Sequence, residues 1–269
     1  MSESPATSEA LAPATTAPLA FEQPLNERMR TFLRLDFLYS QAVYHNEIAT
    51  QWGSRAAVAS LLDMIAISAR SDVRADVLKE LERHLVLLND FQARPGVDTS
   101  RLRAVMSNLM RLRAELLAAG NNGLQGLKES EFLSAIKHRS AIPGGTCEFD
   151  LPDFYFWLHR PTELRTQAFN QWLTILRPMC DAIAELLWLT RQNARPREEI
   201  AHGGTYSITF DRDNPIQLLR ISLPNSTDLY PEISGSHYRC SVRFLQWNGI
   251  AARATQAEGE IPFILSCCT

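Results

Sequence analysis

With 269 residues, 45% of them hydrophobic and 21% charged, the chain has the composition of a folded protein able to bury one large core or two. A formal charge of −3 gives no general attraction to nucleic acid or to a membrane surface, so any basic site must be local. No stretch reaches the ~20 apolar residues of a membrane span, and five cysteines (Cys147, Cys180, Cys240, Cys267, Cys268) without a CxxC argue against zinc or a disulfide framework and for reduced thiols in a cytoplasm.

Residues 1–20 are rich in Ala, Pro, Ser and Thr, lack an early basic cluster, and read as a disordered leader, not a signal peptide. From Phe21 the rhythm becomes helical: Leu25, Met29, Phe32, Leu33 and Phe37 recur at helix spacing, with Pro24 near the expected start. Arg30 and Arg34 fall one turn apart beside this stripe, and Glu27 can pair with Arg30. Further helices are predicted over 56–69 and 72–91. The latter carries Leu78, Leu81, Leu85 and Leu88, and it faces a helix with Leu102, Val105, Leu109, Leu112 and Leu116 across a break at Pro95-Gly96. Such a leucine rhythm serves core packing. A short helix over 128–138 leads to a tight turn at Pro143-Gly144-Gly145, and residues 142–150 are assigned a turn and a short strand able to join a sheet. Pro152 opens a helix through Phe154 and Trp157, and Thr162 starts a long one that Pro178 should bend.

Beyond Arg195-Pro196 the period changes to two. Tyr206, Ile208 and Phe210 alternate with polar partners, Leu219 and Ile221 with Arg220, and residues 261–268 form another strand. In LYPEISGSHYRCSVRF, residues 229–244, Tyr238, Cys240, Val242 and Phe244 point one way and His237, Arg239, Ser241 and Arg243 the other. Arg239 and Arg243 stand roughly 13 Å apart on such a strand, a spacing suited to an extended acidic ligand. Arg220 joins this basic face if the strand registers agree, which sequence alone leaves open. The predicted class is α+β: a leader over 1–20, and an all-helical domain over 21–196 packed on a mostly antiparallel β-strand domain over 197–269.

Enzyme signatures are thin. HGGT at His202–Thr205 has no accompanying nucleophile elbow, Ser134 and Lys137 match SxxK without its companion motifs, and Asp150 and Asp153 read as helix-start residues. The six histidines share no metal-like spacing, so no catalytic residue, metal or cofactor is expected. The remaining chemistry is interaction: Arg34, Arg239 and Arg243 could clamp a short acidic-apolar peptide. Nucleic acid is the rival ligand. The acidic overall balance and the absence of aromatics between the arginines on their strand face stand against it.

Four separated segments, FEQPLNERMRTFLRLDFL, IPGGTCEFDLPDFYFWLH, LYPEISGSHYRCSVRF and the terminal cysteine pair, closely resemble the ZapD family of Z-ring-associated proteins, in the same order from about Phe21 to Cys268. The resemblance implies a cytoplasmic, non-enzymatic homodimer at the mid-cell division ring that binds the C-terminal tail of FtsZ and bundles its filaments. It matches tail-binding positions of the family to Arg34, Arg239 and Arg243. Arg139 and Lys137 are nearby candidates only, because Glu129 and Glu131 put an acid-binding role for their helix in doubt.

Overall fold

Short polar side chains start several of the helices by taking up backbone N–H groups that would otherwise lack partners. The computed structural model describes residues 18–70, 72–92, 96–120, 122–211, 215–236 and 238–269. In it Asn26 accepts the Met29 N–H at 2.7 Å to cap α1 (Glu27–Glu47), which is followed by α2 (Gln51–Arg70). Asp72 caps α3 (Val73–Phe91), and Asp98 caps α4 (Thr99–Ala119) through Ser100 and Arg101. Two short helices follow, α5 (Asn122–Glu129) and α6 (Glu131–Ser140), the second capped by Ser130. Pro152 occupies the first turn of α7 (Pro152–Leu158), where its missing N–H is harmless, and α8 (Thr162–Gln192) runs on through Pro178.

Two compact units result among the described residues: Asn26–Asn193, and residues 18–25 together with Ala194–Thr269. In the helical unit α8 is central, burying Phe169, Leu173, Leu176, Ile183, Leu186 and Leu187 against α1, α3 and α4. Around its first half, Phe132, Phe154, Trp157 and Trp172 pack with ring centroids about 6 Å apart. Arg165 is almost fully buried and ties this helix to the α1–α2 turn, donating to the Thr50 carbonyl and the Ser54 hydroxyl. The predicted leucine seam holds on α4, where Leu102, Leu109, Leu112 and Leu116 are buried. On α3 it is displaced: Leu81 is buried, but the other buried positions are Val73, Val77, Glu80 and His84, with Leu78, Leu85 and Leu88 only half-buried. Buried Glu80 is ion-paired there to Arg28 of α1 at 3.0 Å and to Arg83 at 2.6 Å.

The other unit is an eight-stranded antiparallel sheet: β1 (Leu19–Pro24), β2 (Arg197–His202), β3 (Thr205–Thr209), β4 (Leu218–Leu223), β5 (Leu229–Gly235), β6 (Arg239–Gln246), β7 (Thr255–Gln256) and β8 (Glu260–Cys268). Their order is β1-β4-β8-β2-β3-β6-β5, with β7 on β6. Two expectations fail here. Residues 19–24, divided in the sequence reading between leader and first helix, form β1, because pairing with β4 from Leu19↔Leu223 to Pro24↔Leu218 sends Phe21 into the sheet's core and Glu22 outward to Arg220. Residues 142–150 form turns and no strand: Arg139 grips Asp150 at 3.0 Å and Gly145 sits where a Cβ would meet the Arg139 carbonyl, so the chain folds back on α6.

The sheet curls on itself. Phe244 of β6 and Phe263 of β8 are three strands apart in the order, about 14 Å in a flat sheet, yet their ring centroids are 5.0 Å apart. One set of alternate side chains therefore fills a common interior, including Leu219, Ile221, Cys240, Val242 and Leu265. The bend falls at the β2–β3 hairpin, where only His202↔Thr205 pair and Gly203 and Gly204 both have positive φ, the requirement of a tight two-residue turn. The HGGT glycines thus shape a turn.

Candidate functional site

β6 supplies the clearest cationic face. Cys240, Val242 and Phe244 are buried in the sheet interior, which leaves Arg239, Ser241 and Arg243 exposed on the outer surface, as period-two alternation requires. Across the sheet, Arg243 stands opposite Thr205 of β3 and Glu232 of β5, and its guanidinium meets the Glu232 carboxylate at 2.5 Å. Both partners are about half exposed (54% and 53%), and such a surface pair contributes at most about 1 kcal/mol. An incoming carboxylate can replace Glu232 at small cost. Arg239 is exposed opposite Thr209 and has no ion pair among the described residues.

Arg220 does not join this pair. The register sets it opposite Glu22 of β1 and Ser266 of β8, and Glu22 holds it at 2.8 Å. Four strand spacings separate β4 from β6, about 19 Å along the sheet, and the curl turns the two outer surfaces away from each other. His237 lies outside the described residues. In the helical unit Arg34 is exposed on α1 with no ion pair among the described residues, while Arg30, one turn earlier, pairs with Glu27 at 3.3 Å. Arg139 is committed to Asp150 and closes the 142–150 turn.

The cysteines are free thiols. Burial pushes Cys240 up to about 11 and raises Cys267, so neither is a thiolate near neutrality; Cys267 packs on the sheet interior and Cys268 is buried on the opposite face. His202 makes an exposed pair with Glu260 at 3.4 Å, and among the described residues no three His, Cys, Asp or Glu side chains gather closely enough to hold a metal ion. No helix among them is long and apolar enough to cross a membrane. Sequence reasoning missed Glu232, the counter-charge of Arg243, because cross-strand neighbours are set by register and not by spacing along the chain. It also missed an apolar hollow of about 950 Å³ lined by Ile200, Pro262 and Ile264, which none of the arginines lines.

Fold and site together are those of an α+β protein that displays cationic side chains on the outer surface of its sheet. Sequence comparison gives the family. The profile described as ZapD, cell division protein, matches residues 33–243. Proteins named cell division protein ZapD are similar over nearly the whole chain: that of Methylococcus capsulatus is 38% identical over 252 residues (93% of this chain, 98% of its own), and that of Janthinobacterium sp. 36% over 251 residues (93% and 99%). That of Yersinia pseudotuberculosis is 37% identical over 253 residues (94% and 98%). The chain belongs to the ZapD family of cell division proteins.

Proposed function

We propose that this protein binds the C-terminal tail of FtsZ through its exposed arginines and, as a cytoplasmic homodimer at the mid-cell ring, cross-links FtsZ filaments into bundles. The observation that carries the reading is the pair Arg239 and Arg243, aligned on the outer surface of β6, where among the described residues the first has no ion pair and the second meets only a half-exposed glutamate, in a chain of the ZapD family. A strand face with two guanidiniums suits an extended acidic peptide. Twofold symmetry presents the same face twice, so two weak tail contacts join two filaments, and many tails on one polymer multiply the effective affinity.

The test is co-sedimentation with FtsZ filaments. Arg239→Glu combined with Arg243→Glu should abolish pelleting while circular dichroism and sedimentation velocity show an unchanged folded dimer. Undiminished pelleting of that double variant would remove the arginine face from the reading. Nucleic acid gains no support as a ligand, since Ser241 and not an aromatic stands between the two arginines.

A further inference from the structure

Helices α1 and α2 pack side by side, joined through residues 48–50. Arg34, Phe37 and Leu38 of the first and Asp63, Ala66 and Ile67 of the second line a hollow of about 290 Å³. Both sets follow the i, i+3, i+4 spacing that puts three side chains on one helix face. Four of the six lining residues are apolar, and the other two are one cation and one anion. Phe37 is 65% exposed, an unusual position for a phenylalanine on a helix whose Phe32 is fully buried. Arg34 and Asp63 are both exposed, line the same hollow, and form no ion pair with each other or with any other described residue. A displayed aromatic ring, a hollow beside it, and one unmatched charge of each sign are four features of a small recognition site.

We infer that this hollow receives one bulky apolar side chain of a bound peptide, with an acidic neighbour of that side chain reaching Arg34 and a basic neighbour reaching Asp63. The inference rests on the reading of Arg34 as part of the tail-binding surface and adds a sequence rule to it. At about 290 Å³ the hollow lies at the lower end of ligand pockets, which fits a single leucine- or phenylalanine-sized group and not a whole cofactor. The apolar contact supplies burial and the two charges supply direction: a peptide entering backwards places like charges together at Arg34 and at Asp63. Arginine alone would accept any acidic segment; the hollow with Asp63 makes the site selective.

The experiment uses short fluorescent model peptides and the full-length protein, read by anisotropy. One peptide carries aspartates, then a phenylalanine, then lysines; a second has the charge blocks exchanged; a third has serine in place of phenylalanine. One charge order should bind about tenfold better than the other, and serine should weaken binding by a similar factor. Arg34→Ala should weaken the aspartate-containing peptide and leave an asparagine version unaffected. Asp63→Ala should do the same for the lysine half. Ala66→Leu, which fills the hollow, should weaken all peptides containing phenylalanine, with the melting temperature as the check on folding. Equal binding of both charge orders, or no binding to the wild-type chain, overturns the inference. So does conversion of the dimer to monomer by Phe37→Ala in sedimentation velocity, which would make the hollow a contact between copies. FtsZ pelleting is measured on the same variants. Model-peptide rules obeyed without any FtsZ pelleting would keep the hollow and remove FtsZ as its partner. Pelleting unaffected by Ala66→Leu, with no peptide binding, would remove the hollow and keep FtsZ.

Discussion

Glu80 and His84 lie one turn apart on α3, each only 2% exposed. Burial alone would push the Glu80 carboxyl upward, but the hydrogen bond and charge of Arg83, with Arg28 and His84, outweigh it and hold the carboxyl below its usual range. Burial, reinforced by Arg83, lowers His84 to about 4 from a reference of 6.5. Between those two values the unfolded chain binds a proton at His84 that the native protein refuses. Native stability is therefore full above about 6.5 and falls with acidification toward 4, with a limiting slope of about 1.4 kcal/mol per pH unit. Glu80 acts in the same sense at lower pH, since its contribution is present above the reference value of 4.5 and disappears as pH falls through the depressed native value. Thermal melts from pH 7 to 5 should show a falling midpoint, and His84→Gln should flatten that slope. A midpoint independent of pH in both proteins would mean that His84 titrates normally in the folded state.

At the scale of elements, the β2–β3 hairpin separates two glycines that look alike in the sequence. Gly203 has φ of 57° with nothing within 4 Å of a Cβ, whereas at Gly204, φ 69°, a Cβ would sit 2.1 Å from the Ala257 carbonyl oxygen. Gly203→Asn should change stability by less than about 1 kcal/mol, because asparagine tolerates left-handed backbone. Gly204→Ala should lose more than about 2 kcal/mol, from strain and from clash with backbone that cannot move aside. Chemical denaturation of the two variants measures the difference. Elements recognisable from local signals were legible without the structure: α4 from its leucines, α6 to within a few residues, and β6 from its alternation. β1 was not, because Pro24 imitates a helix start and six residues acquire a strand only by pairing with β4, far along the chain. Nor was β2, whose REEIAH buries only Ala201 and so shows almost no apolar period.

For the whole molecule, the proposed contacts with FtsZ are exposed and charge-assisted, while the ion cluster around Glu80 is buried. Raising salt from about 0.05 to 0.3 M shortens the screening length about 2.4-fold, which weakens exposed pairs but barely reaches buried ones. FtsZ pelleting should therefore weaken markedly over that range while the melting temperature shifts little; loss of both together would mean that salt acts on the fold. The alternation of β6 by itself determined that Arg239 and Arg243 share an outward face, because a strand's side chains have a period of two wherever the strand lies. Composition and helix rhythm likewise determined the α+β class. Only the tertiary structure decided that Arg220 is turned away on the far side of a curled sheet, that Glu232 is the counter-charge of Arg243, and that Arg34 shares a hollow with Asp63. Register, curvature and helix pairing bring together residues distant along the chain, and no local spacing encodes them.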